Sequence, residues 1–561
     1  MALIECVPNF SEGRNPEIIR QIAQSIEQTP GVFLLDVDPG KATHRTVMTF
    51  AGPPEAVVEA AFQAIKTAAA LIDMRFHQGE HPRMGATDVC PLIPIEGVTM
   101  EEAVAWARVL GERVGRELGI PVFLYEKAAS RKERVNLATI RSGEYEGLEK
   151  KLADPDWCPD FGPARFNERS GATVIGAREF LVAYNANLNT TSVRRANAVA
   201  FDVREQGRIL REGNPVTGPV VQDADGNPVR IPGSCRAVKA IGWYIEEYGI
   251  AQVSMNLTDL AQTSLHQAFE ACCESAEKRG MRVTGSELVG MVPKKVLLDA
   301  GKYFLYKQER SKGISEEEII RIAVRTLGLS ELAPFDPRQK ILEYRLEDLR
   351  KEKKLVDLSL SGFANETASE SVAPGGGSVA AFAGALAASL GTMVANLSSH
   401  KRGWEAQWEF FSDWAEKGQA LKDSLLKLVD EDTKAFHQVL EAFRLPKVSE
   451  EDKQKRAMAV EAATHYAIEV PFRTMQQASV CFDILEAMAE KGNPNSASDA
   501  GVGALCAQAA VLGAWLNVQT NLPGLKDAAY AQDIRSRAEI MANESHERCA
   551  RILEIVKQHF K

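Results

Sequence analysis

A twelve-residue segment near the start of the chain concentrates side chains that can exchange protons. Residues 77–88, HQGEHPRMGATD, contain two histidines, two acids and an arginine. His77 and His81 have the spacing of two metal ligands on one helix face, but Gly79 and Pro82 disfavour a helix and therefore that geometry. An irregular loop suits acid–base chemistry, for which histidine is the natural residue near neutral pH. The residues alone equally allow histidines that only tie a loop together by hydrogen bonds.

A second candidate is an acidic side chain within a predicted helix, residues 421–443. The helix has one apolar stripe at i, i+3, i+4, i+7 spacing, which consists of Leu425, Leu428, Val429, Phe436, Val439, Leu440 and Phe443. Asp430 and Glu431 are predicted to face water, whereas Asp432 falls inside the stripe. Burial would raise the pKa of that carboxyl unless a cation or donors compensate, which suits proton transfer. The alternative is a structural aspartate that caps a neighbouring helix at residues 375–378.

A glycine-rich turn, APGGGS at residues 373–378, precedes a small-residue stretch predicted to be helical. Such a turn can present backbone N–H groups to an anion. Because no GK[ST] follows, phosphate-loop chemistry is not supported. The alternative is a tight entry into a closely packed helix, the usual role of glycine there.

Strand-like and helix-like patterns alternate through about the first 330 residues. The predicted order is strand, strand, helix and later strand, helix, strand with turn, over residues 32–37, 45–50, 53–74, 251–257, 263–279 and 282–293. The repetition predicts two similar α/β subdomains with open sheets of the split βαβ, ferredoxin-like type. Residues 213–232, rich in Gly, Pro and Asp, are predicted to form a surface loop inserted in the second subdomain.

The composition changes after Pro334. Residues 347–354 form a charge cluster typical of a solvated helix face or a linker, and the rest has many alanines, long helical periods and almost no strand signal. This pattern predicts an all-α helical bundle. The predicted organisation is multidomain: two α/β subdomains, a linker and an all-α domain, over residues 1–178, 179–332, 333–354 and 355–561.

Bulk composition excludes several classes of protein. The 561 residues are too many for one core, and 45% hydrophobic with 25% charged residues is typical of soluble globular chains. A net charge of −10 disfavours nucleic acid or an acidic membrane as partner. Nine cysteines without a CxxC pair suit a reducing cytosol, and no signal-peptide pattern is present, so a cytoplasmic location is expected.

Two uncharged runs, residues 379–397 and 500–522, are long enough to cross a membrane. The first is mostly Ala, Gly and Ser, and the second carries four amide side chains. Helices packed closely inside a soluble bundle are therefore expected rather than membrane spans.

Five segments resemble the glutamate formimidoyltransferase family, and the resemblance covers about the first 330 residues. They are CVPNFSEGRN (6–15), LLDVDPGKATHRTV (34–47), GEHPRMGATDVCP (79–91), GPARFNERSG (162–171) and AIGWYIEEYGIAQVSMNLTD (240–259). The resemblance implies that His81 is the catalytic base. It takes a proton from the amino group of glutamate, which attacks the formimidoyl carbon on N5 of the folate, and returns it to the departing nitrogen. The loop at 213–232 is longer than expected for the animal members, which puts only its own contacts in doubt.

The same resemblance assigns folate binding to one stretch and supporting roles to four other side chains. The stretch consists of Gly162, Pro163, Ala164, Arg165, Phe166, Asn167, Glu168, Arg169, Ser170 and Gly171, whose arginines and backbone N–H groups suit carboxylates. Candidates for orienting His81 or the substrate are Asp38, Arg45, Glu80 and Arg83. A surface ion pair is an equally good account of each of these four.

Three later segments are similar to the formimidoyltetrahydrofolate cyclodeaminase family, from about residue 355 to 561. They are APGGGSVAAFAGALAASLGTMVANL (373–397), LVDEDTKAF (428–436) and GNPNSASDAGVGALCAQAA (492–510). The resemblance implies that Asp432 assists N10 in attacking the formimidoyl carbon and then protonates the nitrogen that leaves as ammonia, giving 5,10-methenyltetrahydrofolate. Supporting candidates are Gly375, Gly376, Gly377 and Ser378. No H-x-E…P-C-x-x-C pair occurs, so a zinc mechanism is disfavoured and no metal is expected.

Both modules in this order resemble the bifunctional formimidoyltransferase-cyclodeaminases of histidine degradation. The resemblance implies tetrahydrofolate as cosubstrate, with a polyglutamate tail for which Lys401, Arg402 and Lys434 are possible contacts, and dimers assembled into a ring. One alternative keeps the fold but gives the second half methenyltetrahydrofolate cyclohydrolase activity. Another makes that half a non-catalytic, oligomerising folate-binding module.

Overall fold

The computed structural model describes residues 2–41, 43–79, 82–214, 217–350 and 353–560, with Arg350 described by its backbone alone. Two compact units are present. The first contains residues 1–300 and 324–351, and the second contains residues 301–323 and 352–561.

The first unit contains thirteen described strands, nine whole helices and parts of two more, α8 and α9. The strands are β1 (Leu3–Cys6), β2 (Asn9–Phe10), β3 (Phe33–Gly40), β4 (Arg45–Gly52), β5 (Thr87–Glu96), β6 (Val122–Glu126), β7 (Thr173–Ala177), β8 (Val182–Leu188), β9 (Arg208–Ile209), β10 (Arg230–Ile231), β11 (Val238–Ile245), β12 (Ile250–Leu257) and β13 (Val283–Val289). The helices are α1 (Pro16–Glu27), α2 (Pro54–Leu71), α3 (Met100–Leu118), α4 (Leu137–Arg141), α5 (Leu148–Leu152), α6 (Val193–Val203), α7 (Leu265–Glu277), α8 (Lys294–Lys307), α9 (Glu316–Leu327), α10 (Pro337–Lys340) and α11 (Leu342–Arg350).

Two sheets of this unit share one topology. In the first, β1–α1–β3–β4–α2–β5 gives the strand order β3-β4-β1-β5 with antiparallel pairs, β2 continuing the position of β1. Strands β7 and β6 then extend this sheet in parallel. In the second, β8–α6–β11–β12–α7–β13 gives the order β11-β12-β8-β13, again antiparallel. Both are the split βαβ arrangement, so the predicted ferredoxin-like fold class is confirmed.

The two faces of the first sheet differ in chemistry. Because side chains alternate along a strand, Ile4, Cys6, Met48 and Phe50 face α1, α2 and α3 in one hydrophobic core. The opposite face therefore carries Glu5, Asp36, Asp38, Arg45 and Thr49. Part of that face is covered by α11, whose Leu342 and Leu346 pack against Leu35 and Ala51. A sheet face with this many polar side chains can recognise a polar ligand.

The predicted loop at 213–232 is mostly exposed over its described residues, 213–214 and 217–232. It is not entirely irregular, because β10 within it pairs with β9 and two further isolated bridges close it. The loop therefore forms a short hairpin on the surface.

The second unit is a helical bundle. It consists of α12 (Leu360–Thr367), α13 (Gly376–Ser399), α14 (Trp408–Arg444), α15 (Glu450–Lys491), α16 (Ala497–Asn521) and α17 (Ala528–Gln558), and residues 353–560 contain no strand, as predicted. Small residues allow the helices to approach closely. A Cβ added at Gly384 of α13 would lie 3.0 Å from Leu425 and 3.4 Å from Ala510, on the two neighbouring helices. This contact explains the alanine- and glycine-rich composition.

Two segments of the bundle, Gly376–Ser399 and Pro494–Gly524, are long and apolar enough to cross a membrane. Their mean hydropathies are 1.7 and 1.5, and 61% and 44% of the respective windows are buried within the protein. Core helices of a soluble bundle have the same length and hydropathy, so these values agree with the expectation of packed bundle helices.

The segment Gly301–Ala323 packs within the helical unit although it precedes the linker. The carbonyl of Gly313 accepts a hydrogen bond from Asn396 Nδ2 at 2.7 Å. Lys302 pairs with Glu416 of α14 at 2.6 Å, and Lys312 pairs with the same carboxylate at 3.3 Å. The two ends of this segment fall within α8 and α9.

Candidate functional site

The chain on both sides of residues 80 and 81 is anchored by a histidine–arginine network, while Glu80 and His81 themselves lie outside the described residues. The buried His77 ring donates from Nε2 to the carbonyl of His44 at 2.8 Å. Its Nδ1 accepts from Arg83 Nε at 3.2 Å, which fixes a neutral imidazole with its proton on Nε2. Burial lowers the pKa of His77, in agreement with that neutral form. His77 therefore ties the loop together, the structural role that the sequence left open.

Arg83 is a buried anchor rather than a surface residue. Its guanidinium pairs with Glu146 at 2.6 Å and with Glu144 at 3.1 Å, and it also donates to the carbonyl of His77 at 3.1 Å. Hydrogen bonding to Glu146 raises the pKa of Arg83, so its charge is permanent. Arg83 thus joins the loop to the segment at 144–146.

His44, which the sequence analysis did not single out, holds the other side of the loop. Its ring stacks on that of His77 with centroids 4.3 Å apart and planes 4° apart. Its Nδ1 lies 3.0 Å from the carbonyl oxygen of Gln78, and its Nε2 lies 3.2 Å from Glu12 Oε1. Only its position in a family-like segment could have indicated this contact, because the partner residues are more than 30 positions away.

The predicted folate stretch lies beside this loop. The N–H of Ala86 donates to the carbonyl of Ser170 at 2.9 Å, and that of Ala172 donates to Met84 at 3.1 Å. Gly171 has φ +67°, and a Cβ there would overlap the Met84 carbonyl, so only glycine permits this approach. The side chains left exposed are those of Pro163, Ala164, Arg165, Glu168 and Arg169.

The remaining members of the stretch shape it. The Asn167 side chain accepts from the N–H of Ser170 at 3.0 Å, and its carbonyl accepts from Gly171. The Phe166 ring lies 5.3 Å from that of Tyr145, and Gly162 has φ +80°. The stretch is therefore a turn held by hydrogen bonds within itself and to neighbouring segments, and the Arg169 guanidinium donates to the carbonyl of Ala70.

A charged cluster lies next to the same loop, at the start of β4 and β5. Burial lowers the pKa of Arg45, and Arg141 lowers it further, while Asp88 and Asp38 act in the opposite direction. Asp88 is buried, accepts from the N–H of Met84 at 3.0 Å and forms an ion pair with Arg141. Asp38 itself is exposed on β3. The loop, Arg45 and Asp88 therefore share one region of the first sheet.

In the helical unit, Asp432 caps the first turn of α13. Its carboxylate accepts from the backbone N–H of Ser378 and from Ser378 Oγ, the latter at 3.0 Å. The helix has no capping side chain of its own, since its N-cap is Gly375. A Cβ at Gly377 would overlap the Asp432 carboxylate, so glycine is required there. The structural alternative proposed from the sequence, a cap at residues 375–378, is therefore present.

Capping does not remove the capacity of Asp432 for proton transfer. Its side chain is half-buried, and burial raises the pKa of the carboxyl although both bonds from Ser378 lower it. Gly376 approaches Asn517 of α16, whose Nδ2 would lie 3.4 Å from a Cβ on that glycine. The carboxyl of Asp432, within α14, thus lies where the start of α13 approaches the last turns of α16.

Two predictions for α14 were wrong. Asp430 and Glu431 do not simply face water: Asp430 accepts from the N–H of Leu355 at 2.6 Å, burial raises its pKa, and Glu431 pairs with Arg473 of α15. The apolar stripe is also buried only at its start, because Phe436 and Phe443 are 40% and 53% exposed. Past Ala435 the end of α14 extends beyond the bundle core.

Among the described residues, no group of three or more His, Cys, Asp or Glu could hold a metal ion. The described side chains around His77 and Asp432 instead make hydrogen bonds with protein groups. Taken together, fold and sites define a chain with two separate candidate centres, one in an α/β unit and one in a helical bundle.

Comparison with known proteins gives the family. A model of the formiminotransferase domain, N-terminal subdomain, matches residues 3–178, the formiminotransferase domain matches 183–347, and formiminotransferase-cyclodeaminase matches 359–540. The formimidoyltransferase-cyclodeaminase of Gallus gallus is 43% identical over 556 residues, covering 99% of both chains. The chain therefore belongs to the formimidoyltransferase-cyclodeaminase family, which confirms the resemblance.

Two further relatives each match one part. The glutamate formimidoyltransferase of Streptococcus pyogenes serotype M1 is 41% identical over 307 residues, covering 55% of this chain and 94% of that protein. The methenyltetrahydrofolate cyclohydrolase of Methylorubrum extorquens is 36% identical over 199 residues, covering 36% of this chain and 96% of that protein.

Proposed function

We propose that this chain is a bifunctional folate enzyme. Its first part transfers the formimidoyl group between N-formimidoyl-L-glutamate and tetrahydrofolate. Its helical part cyclises 5-formimidoyltetrahydrofolate to 5,10-methenyltetrahydrofolate and releases ammonia. The observation that carries the proposal is the 43% identity over nearly the full length of a bifunctional relative.

In the transferase site, His81 is proposed as the base and acid that moves the proton between the attacking and departing nitrogens. Support comes from the described residues on either side, because the carbonyl of Gln78 lies 3.0 Å from His44 Nδ1 and Arg83 donates to His77. The neighbouring stretch at 162–171 would bind the folate. Its exposed Arg165 and Arg169 suit carboxylates, while Asp38 and Arg45 would orient the substrate.

In the cyclodeaminase site, Asp432 is proposed to accept the proton of N10 as the N10–carbon bond forms. It then gives a proton to the amino group, whose bond to the same carbon breaks as ammonia departs. Burial raises the pKa of this carboxyl, which makes its protonated form easier to reach than that of an exposed aspartate. The first turn of α13, Gly375 to Ser378, positions it.

A second candidate activity for the helical part is methenyltetrahydrofolate cyclohydrolase, favoured by the similarity to a protein of that name. Ammonia distinguishes the two. With N-formimidoyl-L-glutamate and tetrahydrofolate supplied, we expect glutamate, methenyltetrahydrofolate and ammonia in equal amounts, with none formed when tetrahydrofolate is omitted. Absence of ammonia from supplied 5-formimidoyltetrahydrofolate, together with hydrolysis of the methenyl compound, would establish the cyclohydrolase instead.

The cosubstrate is proposed to carry a polyglutamate tail, and the location is proposed to be cytoplasmic. Lys401, Arg402 and Lys434 remain candidate tail contacts; the Lys401 ammonium lies 4.0 Å from the centre of the Trp404 ring. The proposed subdomains are 1–178 and 179–332, followed by a linker, 333–354, and the bundle, 355–561. The family matches to 3–178 and 359–540 support the boundaries near 178 and 355, whereas the match to 183–347 extends into the proposed linker.

A homo-oligomer, dimers assembled into a ring, is proposed from an apolar face on α13 and α16. The two helices touch where a Cβ at Gly513 would lie 3.1 Å from Ala380. Their outward large side chains are between 38% and 58% exposed: Val379, Leu386, Met393, Leu397, Val502, Leu505 and Leu516. Many exposed large apolar side chains on two packed helices are typical of an interface, here with a second copy.

Light scattering tests this contact. The double substitution Leu386→Glu and Leu505→Glu is expected to lower the particle mass, because it buries two charges in the proposed interface. The matched control is Ile540→Glu on α17, which is equally exposed but outside this face. An unchanged mass for the double variant would exclude the face as a subunit contact.

A further inference from the structure

The hydroxyl of Ser378 faces more acceptors than it can serve. Ser378 is fully buried at the third position of α13. Its Oγ lies 2.9 Å from the Val429 carbonyl oxygen, 3.0 Å from Asp432 Oδ2 and 3.3 Å from Thr433 Oγ1. A serine has one hydroxyl proton and two lone pairs, so it cannot donate to Val429 and Asp432 at once.

Each protonation state of Asp432 has its own satisfied arrangement of these atoms. When the carboxyl is ionised, the hydroxyl and the backbone N–H of Ser378 can both donate to it. When it is protonated, its new O–H can donate to Ser378 Oγ, whose own hydrogen turns to the Val429 carbonyl. Rotation about one C–O bond exchanges the two, and neither leaves a buried polar atom without a partner.

We propose that Ser378 is a positioning residue whose hydroxyl switches between Val429 and Asp432 as Asp432 gains and loses the proton of the cyclodeaminase reaction. This inference depends on the proposed role of Asp432. In this inference Ser378 contributes its hydroxyl as well as its backbone N–H, because the hydroxyl can hydrogen-bond to Asp432 in both of its protonation states. Without the switch, one of the two states would hold an unpaired buried group.

The charges around Asp432 do not offer a competing control. Helix α13 has no ionisable residue, and those of α16, Asp499 and Cys506, lie eighteen and eleven residues before Asn517. On the other neighbouring helices, Glu431 of α14 pairs with Arg473 of α15, near Tyr466, and Lys434 is exposed. Ser378 is therefore the side chain placed to tune the Asp432 proton.

The sign of the effect can be derived. Asp432 must be ionised to accept the N10 proton, so ammonia release falls as pH drops through its pKa. Removing the hydroxyl takes one donor from the carboxylate and keeps the burial, which moves that pKa upward. For the loss of a hydrogen bond to a charged group, the acidic limb of the pH–rate profile is expected to shift upward by about one to two pH units.

The test uses the full chain with 5-formimidoyltetrahydrofolate and ammonia release measured across pH. Ser378→Ala is expected to shift the acidic limb as stated, and Ser378→Cys, which nearly keeps the volume but donates weakly, is expected to shift it in the same direction. Ser378→Thr, which keeps a hydroxyl, should restore the wild-type limb. Formimidoyl transfer by the same samples and their thermal unfolding report whether the chain is folded.

The outcomes separate this inference from the function on which it rests. If Asp432→Asn still releases ammonia, the catalytic role of Asp432 is wrong, and the switch falls with it. If Asp432→Asn is inactive but folded Ser378→Ala and Ser378→Cys keep the wild-type pH profile, only the switch is overturned.

Discussion

After Asp432→Asn, ammonia release from 5-formimidoyltetrahydrofolate is expected to fall by about 10²–10⁴-fold, while formimidoyl transfer continues at the wild-type rate. Asparagine keeps an oxygen that can accept the Ser378 N–H, so the cap on α13 survives. It cannot exchange a proton with N10. A loss of activity in a folded, assembled variant would therefore reflect chemistry rather than packing.

The helix supplies a matched control for this substitution. Asp430 lies two residues earlier, is also half-buried with a raised pKa, and accepts the Leu355 N–H. Asp430→Asn should leave ammonia release close to the wild-type rate. His81→Ala should give the reverse pattern, with transfer abolished and cyclisation of supplied intermediate retained. If Asp432→Asn and His81→Ala each damaged both activities equally in folded protein, the assignment of two sites would be wrong.

Glu5→Gln is expected to stabilise the first unit by about 3 kcal/mol at pH 8 and by almost nothing near pH 4. Glu5 is 1% exposed on β1, and its Oε2 has no hydrogen-bond partner among the described residues. Burial raises its pKa from 4.5 to about 7, with Arg178 lowering it and Glu343 raising it. At about 1.4 kcal/mol per pH unit, that shift gives the quoted magnitude.

The direction follows from proton binding. Between pH 4.5 and about 7 the folded chain keeps a proton on Glu5 that the unfolded chain has already lost. The free energy of unfolding therefore falls as pH rises through this window, and the full cost is present above it. Glutamine fills the same space without titrating, so it avoids that cost.

Urea unfolding of both proteins at pH 4, 6 and 8, followed by loss of formimidoyl transfer, measures the difference. Glu17→Gln on the exposed surface of α1 provides the comparison, and no stabilisation that grows with pH is expected there. A Glu5→Gln protein less stable than wild type at every pH would mean that the carboxylate makes a favourable interaction that burial does not outweigh.

The local sequence pattern predicted the helices and strands better than it predicted the contacts between them. Alternating strand and helix signals gave both ferredoxin-like sheets, and the helical period placed Asp432 correctly toward α13. The same period could not show where the bundle core ends, so Phe436 and Phe443 were wrongly expected to be buried. Burial at the tip of a helix depends on which neighbours reach that far, which is not a local property.

Partners distant in sequence explain the other differences. Glu431 was expected to face water because its own helix offers only polar neighbours, yet Arg473 is supplied by α15, 42 residues away. The ion pair between Asp88 and Arg141 joins residues 53 apart. Periodicity within one helix or loop contains no information on such pairs. The family-like segments did include one residue of each pair, Asp88 and Glu431.

The packing of residues 301–323 against α13 and α14 affects how the protein can be dissected. A fragment begun at the linker would lack Lys302, Lys312 and Gly313, leaving Glu416 without its lysines and the amide of Asn396 without its acceptor. A fragment that ends at the linker would instead contain residues 301–323 without the helices α13 and α14 against which they pack. Expressing the two parts separately would thus remove contacts of residues 301–323 from both fragments. Low activity of an isolated fragment would then reflect the loss of these contacts and not a loss of cooperation between the two activities.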